Sequence, residues 1–149
     1  MIDDILAAYD WFDHPEGCKY VESYGDEHRN SGHWLLLPGV ISSFHKVLDS
    51  EEMWLIHLGR ALVHVLDPDG AHHVLRLGTD LAAGERPVVT VPVGYWQAAE
   101  IPEGTRFAFG TNVCAPPFSY AEFAIARRED LLRDYADHAD LIIRLTRDD

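Results

Sequence analysis

His45 and Glu52 sit in the segment ISSFHKVLDSEEMWLIHLG, and Gln97 follows in VPVGYWQ. These residue types suit proton transfer. An imidazole has an unperturbed pKa of about 6.5, close to neutrality, and a carboxylate beside it orients the ring and raises its basicity. Alternate residues of an extended strand share a face. Ile41, Ser43, His45 and Val47 therefore point one way, and Ser42, Phe44, Lys46 and Leu48 the other. Asp49-Ser50-Glu51 makes a turn, after which Glu52, Trp54 and Ile56 share a face and Glu51 turns to solvent. Two adjacent antiparallel strands then set His45 and Glu52 together, with Gln97 as a third polar group. Burying Glu52 unpaired is costly, so it is expected either to pair with His45, Lys19 or a metal or to sit in a wet cavity.

Around this trio, Trp54, Trp96 and Tyr20 offer flat walls suited to a planar ring, whether sugar, base or aromatic. Ser43 shares the His45 face and joins the substrate-binding set. Lys19 and Tyr20 cannot both face inward on a regular strand. The phase favours Tyr20 with Glu22 inward, and a bulge after Gly17 admits Lys19 instead. His57, His64, His72 and His73 show no partner pattern and are expected at the surface or an interface. Cys114 has no histidine at a spacing that suits a nucleophile.

The elements that must hold these residues are short strands. From Cys18 to about Val113, apolar runs alternate with Gly, Pro and Asp punctuation, the pattern of a β-sandwich or barrel. Asp67-Pro68-Asp69-Gly70 between LVHVL and HHVLRL forms a tight hairpin. Ile2, Ile5, Leu6 and Tyr9 have helical spacing at the start, as do Leu131, Leu132, Tyr135, Ala139, Ile142 and Leu145 at the end. Ala136-Asp137 splits the second stretch, with Asp137 as an N-cap. The 149 residues suit one domain over 1–149, with a barrel over about 17–125 and a helical tail over about 127–146. A chain this long buries roughly 68–70% of its unfolded surface and needs no disulfide or metal for a core.

Composition limits the partners. The formal net charge is −13, which disfavours nucleic acid and anionic membranes, since both are bound through Lys and Arg. No run of 18 apolar residues occurs, and MIDDILAAYDW lacks the basic and apolar regions of a signal peptide. A cytoplasmic protein with Cys18 and Cys114 as free thiols is expected.

The motif spacing resembles the cupins. Their first motif has His-x-His, four residues, Glu, six residues, Gly; here it runs His45-Lys46-Val47, four residues, Glu52, six residues, Gly59. Their second motif has Pro-x-Gly, two residues, His; here it runs Pro92-Val93-Gly94, Tyr95-Trp96, Gln97. Seven rather than five residues separate Gly84 from Pro92, and the usual later Asn is Ile101. HPEGCKYVES, SSFHKVLDSEEMW, LDPDG, LGTDLAAGERPVVTVPVGYWQ and EDLLRDYADHADLIIRLT, in that order, resemble the fifth cupin type, a domain-of-unknown-function family, over about residues 11 to 146.

The resemblance implies an all-β double-stranded β-helix, or jelly roll, with a short N-terminal helix and C-terminal helices packed outside it, and a homodimer. It implies a small-molecule enzyme that abstracts a proton next to a carbonyl: an epimerase, isomerase, dehydratase or cyclase acting on a sugar, nucleoside or specialised metabolite. His45 would be the base, Glu52 its partner and Tyr20 the acid. Lys19, Glu22, Ser43, Trp54, Trp96 and Gln97 would hold the substrate. The alternatives are a metal-dependent cupin such as a dioxygenase and a non-catalytic small-ligand binder. Val47 and Gln97 replace two of the usual histidine ligands. The expectation is therefore no cofactor, or a weakly bound divalent metal at His45, Glu52 and Gln97.

Overall fold

A computed structural model describes residues 1–147. Helix α1 (Ile2–Ala8) leads into β1 (Phe12–Asp13), β2 (Lys19–Gly25), β3 (Asn30–Leu36), β4 (Ser42–Val47) and β5 (Glu51–Leu58). Strands β6 (Ala61–Leu66), β7 (His72–Leu77), β8 (Val88–Val91), β9 (Trp96–Glu100), β10 (Ala108–Ala115) and β11 (Phe123–Ile125) follow. The chain closes with α2 (Arg128–Asp134), a 3-10 turn (Ala136–His138) and α3 (Ala139–Arg144). One antiparallel sheet has the order β1-β2-β3-β10-β5-β8, the other β11-β4-β9-β6-β7. This is the expected jelly roll with helices outside.

Alternation along the strands makes two cores. Trp34, Trp54, Val63, Leu77 and Ala99 fill the space between the sheets. Phe44, Leu66 and Ala98 point outward from the five-stranded sheet and meet Leu131, Ile142 and Leu145 of the C-terminal helices. The hairpin at Asp67–Gly70 closes as its residues require. Asp67 Oδ1 accepts from the backbone N–H groups of Asp69 and Ala71, each at 2.9 Å, and Gly70 takes φ 97°.

Three local expectations need correction. Strands β4 and β5 are not hydrogen-bonded neighbours: they lie in different sheets, because the chain crosses the barrel between Val47 and Glu51. Asp137 does not cap α3. It lies inside the 3-10 turn, and His138 occupies the cap position without a side-chain bond. His64 is not at the surface but 4% exposed, bonded to Glu100 and His72.

Candidate active site

Glu16 enters the barrel from the turn before β2. His14 N–H bonds Cys18 O at 2.9 Å, and Gly17 N–H bonds His14 O at 2.8 Å. Gly17 has φ 121°, and a Cβ there would meet Ile41 O at 2.4 Å, so only glycine lets the turn press against the start of β4. Ser43 N–H then bonds Glu16 O at 2.7 Å, fixing the turn to β4. The Glu16 carboxylate is carried inward, where Oε2 lies 3.1 Å from His45 Nε2 and Oε1 accepts from Cys18 Sγ at 3.2 Å.

The hydrogen bonds locate the protons. His45 Nδ1 lies 2.8 Å from Ser43 O, which can only accept, so Nδ1 carries a hydrogen. The contact of Nε2 with Glu16 therefore holds one shared proton, on nitrogen or on oxygen. His14 Nδ1 accepts from the Glu16 backbone N–H at 3.2 Å, so that ring is neutral with its hydrogen on Nε2. Burial depresses the His14 pKa in the same sense, outweighing the pull of Glu16. Burial also opposes ionisation of Glu16. His45, with help from the Cys18 thiol, outweighs it, and the carboxyl sits below its usual range.

Glu52 projects from β5 into the same interior. Its Oε1 accepts from Gln97 Nε2 at 3.3 Å, and Asn112 Nδ2 donates to Oε2. Gln97 is held in turn by Trp54 Nε1, which donates to Gln97 Oε1 at 2.7 Å. Burial drives the Glu52 pKa up against the pull of His45, and the charge of Glu16 adds to the rise. The chamber thus contains two carboxylates whose proton affinities are pushed apart.

Glu16, Glu52, His14, Asn112 and Trp34 line a chamber of about 30 Å³, a water-sized space. A vestibule of about 460 Å³, lined by Phe12, Glu22, Asp26 and Asn30, lies outside it. Tyr20 and Phe118 belong to both walls and separate the two spaces. Two glycines make room for the rings. A Cβ on Gly32 would meet Tyr20 Oη at 2.0 Å, and one on Gly110 would meet the Trp34 ring at 2.4 Å. Burial raises the Tyr20 phenol pKa, and Glu52 adds to it, so Tyr20 remains a proton donor.

The sequence-derived residues divide as follows. Glu52 lines the chamber, and Gln97 and Trp54 support it from behind. Tyr20 is half-buried at the passage between the two cavities, and Glu22 lies exposed on the vestibule wall. His45 is 1% exposed and stands behind Glu16 rather than on the chamber wall; Glu16, not Glu52, orients its ring. Ser43 contributes its carbonyl to His45. Lys19 faces away, bonded to Asp13 at 3.2 Å, because Cys18 and Tyr20 take the inward phase. Trp96 also faces away. Gln97 points inward, so its neighbour must point out, where Trp96 packs near Leu66 and carries Lys46 Nζ over its ring at 4.5 Å. Trp34 provides the aromatic chamber wall in its place. Glu16, Asn112 and Trp34 are site residues that strand phase and motif spacing did not single out.

The donor set does not fit the metal that the cupin resemblance implies. Val47 has no donor, Gln97 Oε1 is engaged by Trp54, His45 Nε2 by Glu16, and both Glu52 oxygens by amides. Among the described residues, no group of three or more His, Cys, Asp or Glu is placed to hold a metal ion. Nor is any described helix long and apolar enough to cross a membrane.

Residues 3–126 match the family described as Cupin superfamily (DUF985). Protein SO0799 from Shewanella oneidensis shares 31% identity, with 99% of this chain and 98% of that one covered and a TM-score of 0.92. A hypothetical protein from Leishmania major shares 21% identity over 97% of each chain, with a TM-score of 0.89. Pac13 of Streptomyces, described as a unique nucleoside dehydratase, shares 12% identity over 79% of this chain and 84% of its own, with a TM-score of 0.60; that likeness is one of fold alone. No curated protein matches the sequence.

Proposed function

The chain belongs to the DUF985 family of the cupin superfamily, and on that premise we propose that it is a small-molecule enzyme working by proton transfer. The observation that carries this reading is the pair of buried carboxylates in one chamber, Glu16 lowered and Glu52 raised in pKa. Carboxyl groups separated in this way take the roles of base and acid.

The reaction class is proton abstraction next to a carbonyl, followed by elimination or reprotonation. Glu16 faces the chamber and takes the proton from carbon on its carboxylate, while the proton already held between it and His45 Nε2 keeps the group oriented. His45 is a positioning residue here. Glu52 gives its proton to the departing hydroxyl, which leaves as water while the C–H electron pair becomes the new double bond. Return of a proton from Glu16 to Glu52 through solvent restores the resting state. In the isomerase version the abstracted proton returns to carbon instead. That the jelly roll of Pac13 supports a nucleoside dehydratase favours the elimination version.

The test uses NMR in D₂O on a panel of ketoses, oxidised nucleosides and amino ketones. The expected result is deuterium incorporation next to the carbonyl, or loss of water, for at least one compound. Glu16→Gln lowers that rate by about 10²–10⁴-fold, the usual contribution of a general base. No exchange with any compound, or a rate unchanged in Glu16→Gln, overturns the reading.

A further inference from the structure

The cavities are acidic and aromatic throughout. Glu16 and Glu52 face the inner chamber, Glu22 and Asp26 face the vestibule, and no Lys or Arg lies among the described residues of either wall. Lys19 bonds Asp13, and Arg29 lies over the Tyr24 ring at 4.4 Å with its charge also acting on Asp26, whose oxygens accept from the N–H groups of His28 and Arg29 and from Tyr24 Oη. Glu22 has no ion pair among the described residues. Phe12, Tyr20 and Phe118 present aromatic rings to the same vestibule.

An acidic lining alone is only a solvated surface. A second observation points to a ligand. Asn112 Oδ1 and Trp34 Nε1, both on residues of the chamber wall at 8% and 1% exposure, have no hydrogen-bond partner in the protein. Buried polar atoms are otherwise paired almost without exception. One is an acceptor and the other a donor, so a molecule reaching the chamber is offered both.

Resting on the proton-transfer reading of this site, we propose that its substrate is a small organic cation: a carbonyl compound bearing a protonated amine, held by Glu22 and the vestibule rings. Its uncharged end reaches past Tyr20 and Phe118, and the water-sized chamber admits one oxygen-bearing group of it to Asn112 and Trp34. Ammonium groups are attracted both to carboxylates and to aromatic faces. Phosphorylated and carboxylated metabolites meet the Glu22 carboxylate on a wall without Lys or Arg and are disfavoured. The formal net charge of −13 concentrates cations around the molecule in the same sense.

The test is binding, read without turnover. Benzylamine, benzyl alcohol and benzoate share one ring and differ in head-group charge. Titration calorimetry, with the Trp34 indole N–H resonance assigned by Trp34→Phe, should rank benzylamine first and benzoate last. Glu22 lies on the exposed rim, so its variants fold. Glu22→Gln should weaken benzylamine by roughly threefold, the size of a part-exposed ion pair, and Glu22→Lys should reverse the order of amine and benzoate. Benzoate binding as tightly as benzylamine overturns the proposal, as does no benzylamine binding or binding indifferent to Glu22. If benzylamine follows the expected pattern while Glu16-dependent exchange is absent, the ligand class stands and the proton-transfer reading falls. If exchange is found and benzoate outbinds the amine, the reverse holds.

Discussion

Two histidine–carboxylate pairs are buried on opposite faces of the five-stranded sheet. On the inner face His45 meets Glu16 at 3.1 Å; on the outer face His64 Nε2 meets Glu100 Oε2 at 2.6 Å. By contact distance the outer pair is the stronger. Yet Arg144 clamps the Glu100 carboxylate with two bonds at 3.2 and 2.7 Å, and His64 Nδ1 is bonded to His72 at 3.0 Å. That arrangement ties α3 to β6 and β9, and both ring nitrogens of His64 and both oxygens of Glu100 are taken up by protein partners. Among the described residues no guanidinium bonds Glu16, which borders a chamber. Access and the lack of a fixed counter-cation, rather than a short bond, mark the pair able to exchange protons with a substrate.

The widest separation between the pairs is expected in catalysis. Glu16→Gln should lower deuterium exchange by about 10²–10⁴-fold, whereas Glu100→Gln should leave it unchanged; equal losses would erase the distinction. Stability should separate them in the other direction. His64→Ala leaves a cavity on the outer face of β6 and deprives Glu100 and His72 of a partner, at a cost of about 2–3 kcal/mol in urea unfolding. Its exchange rate should remain that of the parent.

Gly32→Ala sharpens the inner side of the comparison. The added methyl displaces the Tyr20 ring, costing about 1–3 kcal/mol by overpacking and weakening benzylamine binding. Unchanged binding would remove Tyr20 from the passage.

The smallest effect is a pH slope that the two regions share. Burial depresses the pKa of His64 on the outer face and of His14 in the chamber. Unfolded histidines take up a proton near pH 6.5, while these buried rings resist it, so just below that pH the unfolded state binds more protons. The stability they confer is complete above about pH 6.5 and declines as pH falls toward their folded values. His64→Gln and His14→Gln should each flatten the decline in unfolding free energy between neutral and acidic pH; a steeper slope in either variant would contradict this.

The layered fold was legible because apolar runs and turn residues alternate at strand spacing; Glu52 was found by phase, and Gln97 by its place in the second motif of the cupin resemblance. Trp96 was misplaced by an error the sequence itself could have revealed: it adjoins Gln97, and neighbours on a strand cannot share a face. The pairing of β4 with β5 failed because a short connection reads the same whether it closes a hairpin or crosses between sheets. Glu16 lies in a turn, where alternation says nothing. Its available signal was an acid between His14 and Cys18, followed by a glycine that permits close approach to β4. Asn112 meets Glu52 across 60 residues of sequence, a contact that no local pattern encodes.

That separation has a kinetic consequence. The Glu52 carboxylate is held by Gln97 and Asn112, Gln97 by Trp54, and these bonds span 45, 60 and 43 residues. Such nonlocal closures carry the largest loop entropy and form late, which slows folding in barrels of this kind. The chamber is therefore absent from any partly folded form that lacks β9 or β10. Ligand binding becomes a reporter of the finished topology, and a ligand present during refolding acts on the final state rather than on the route to it.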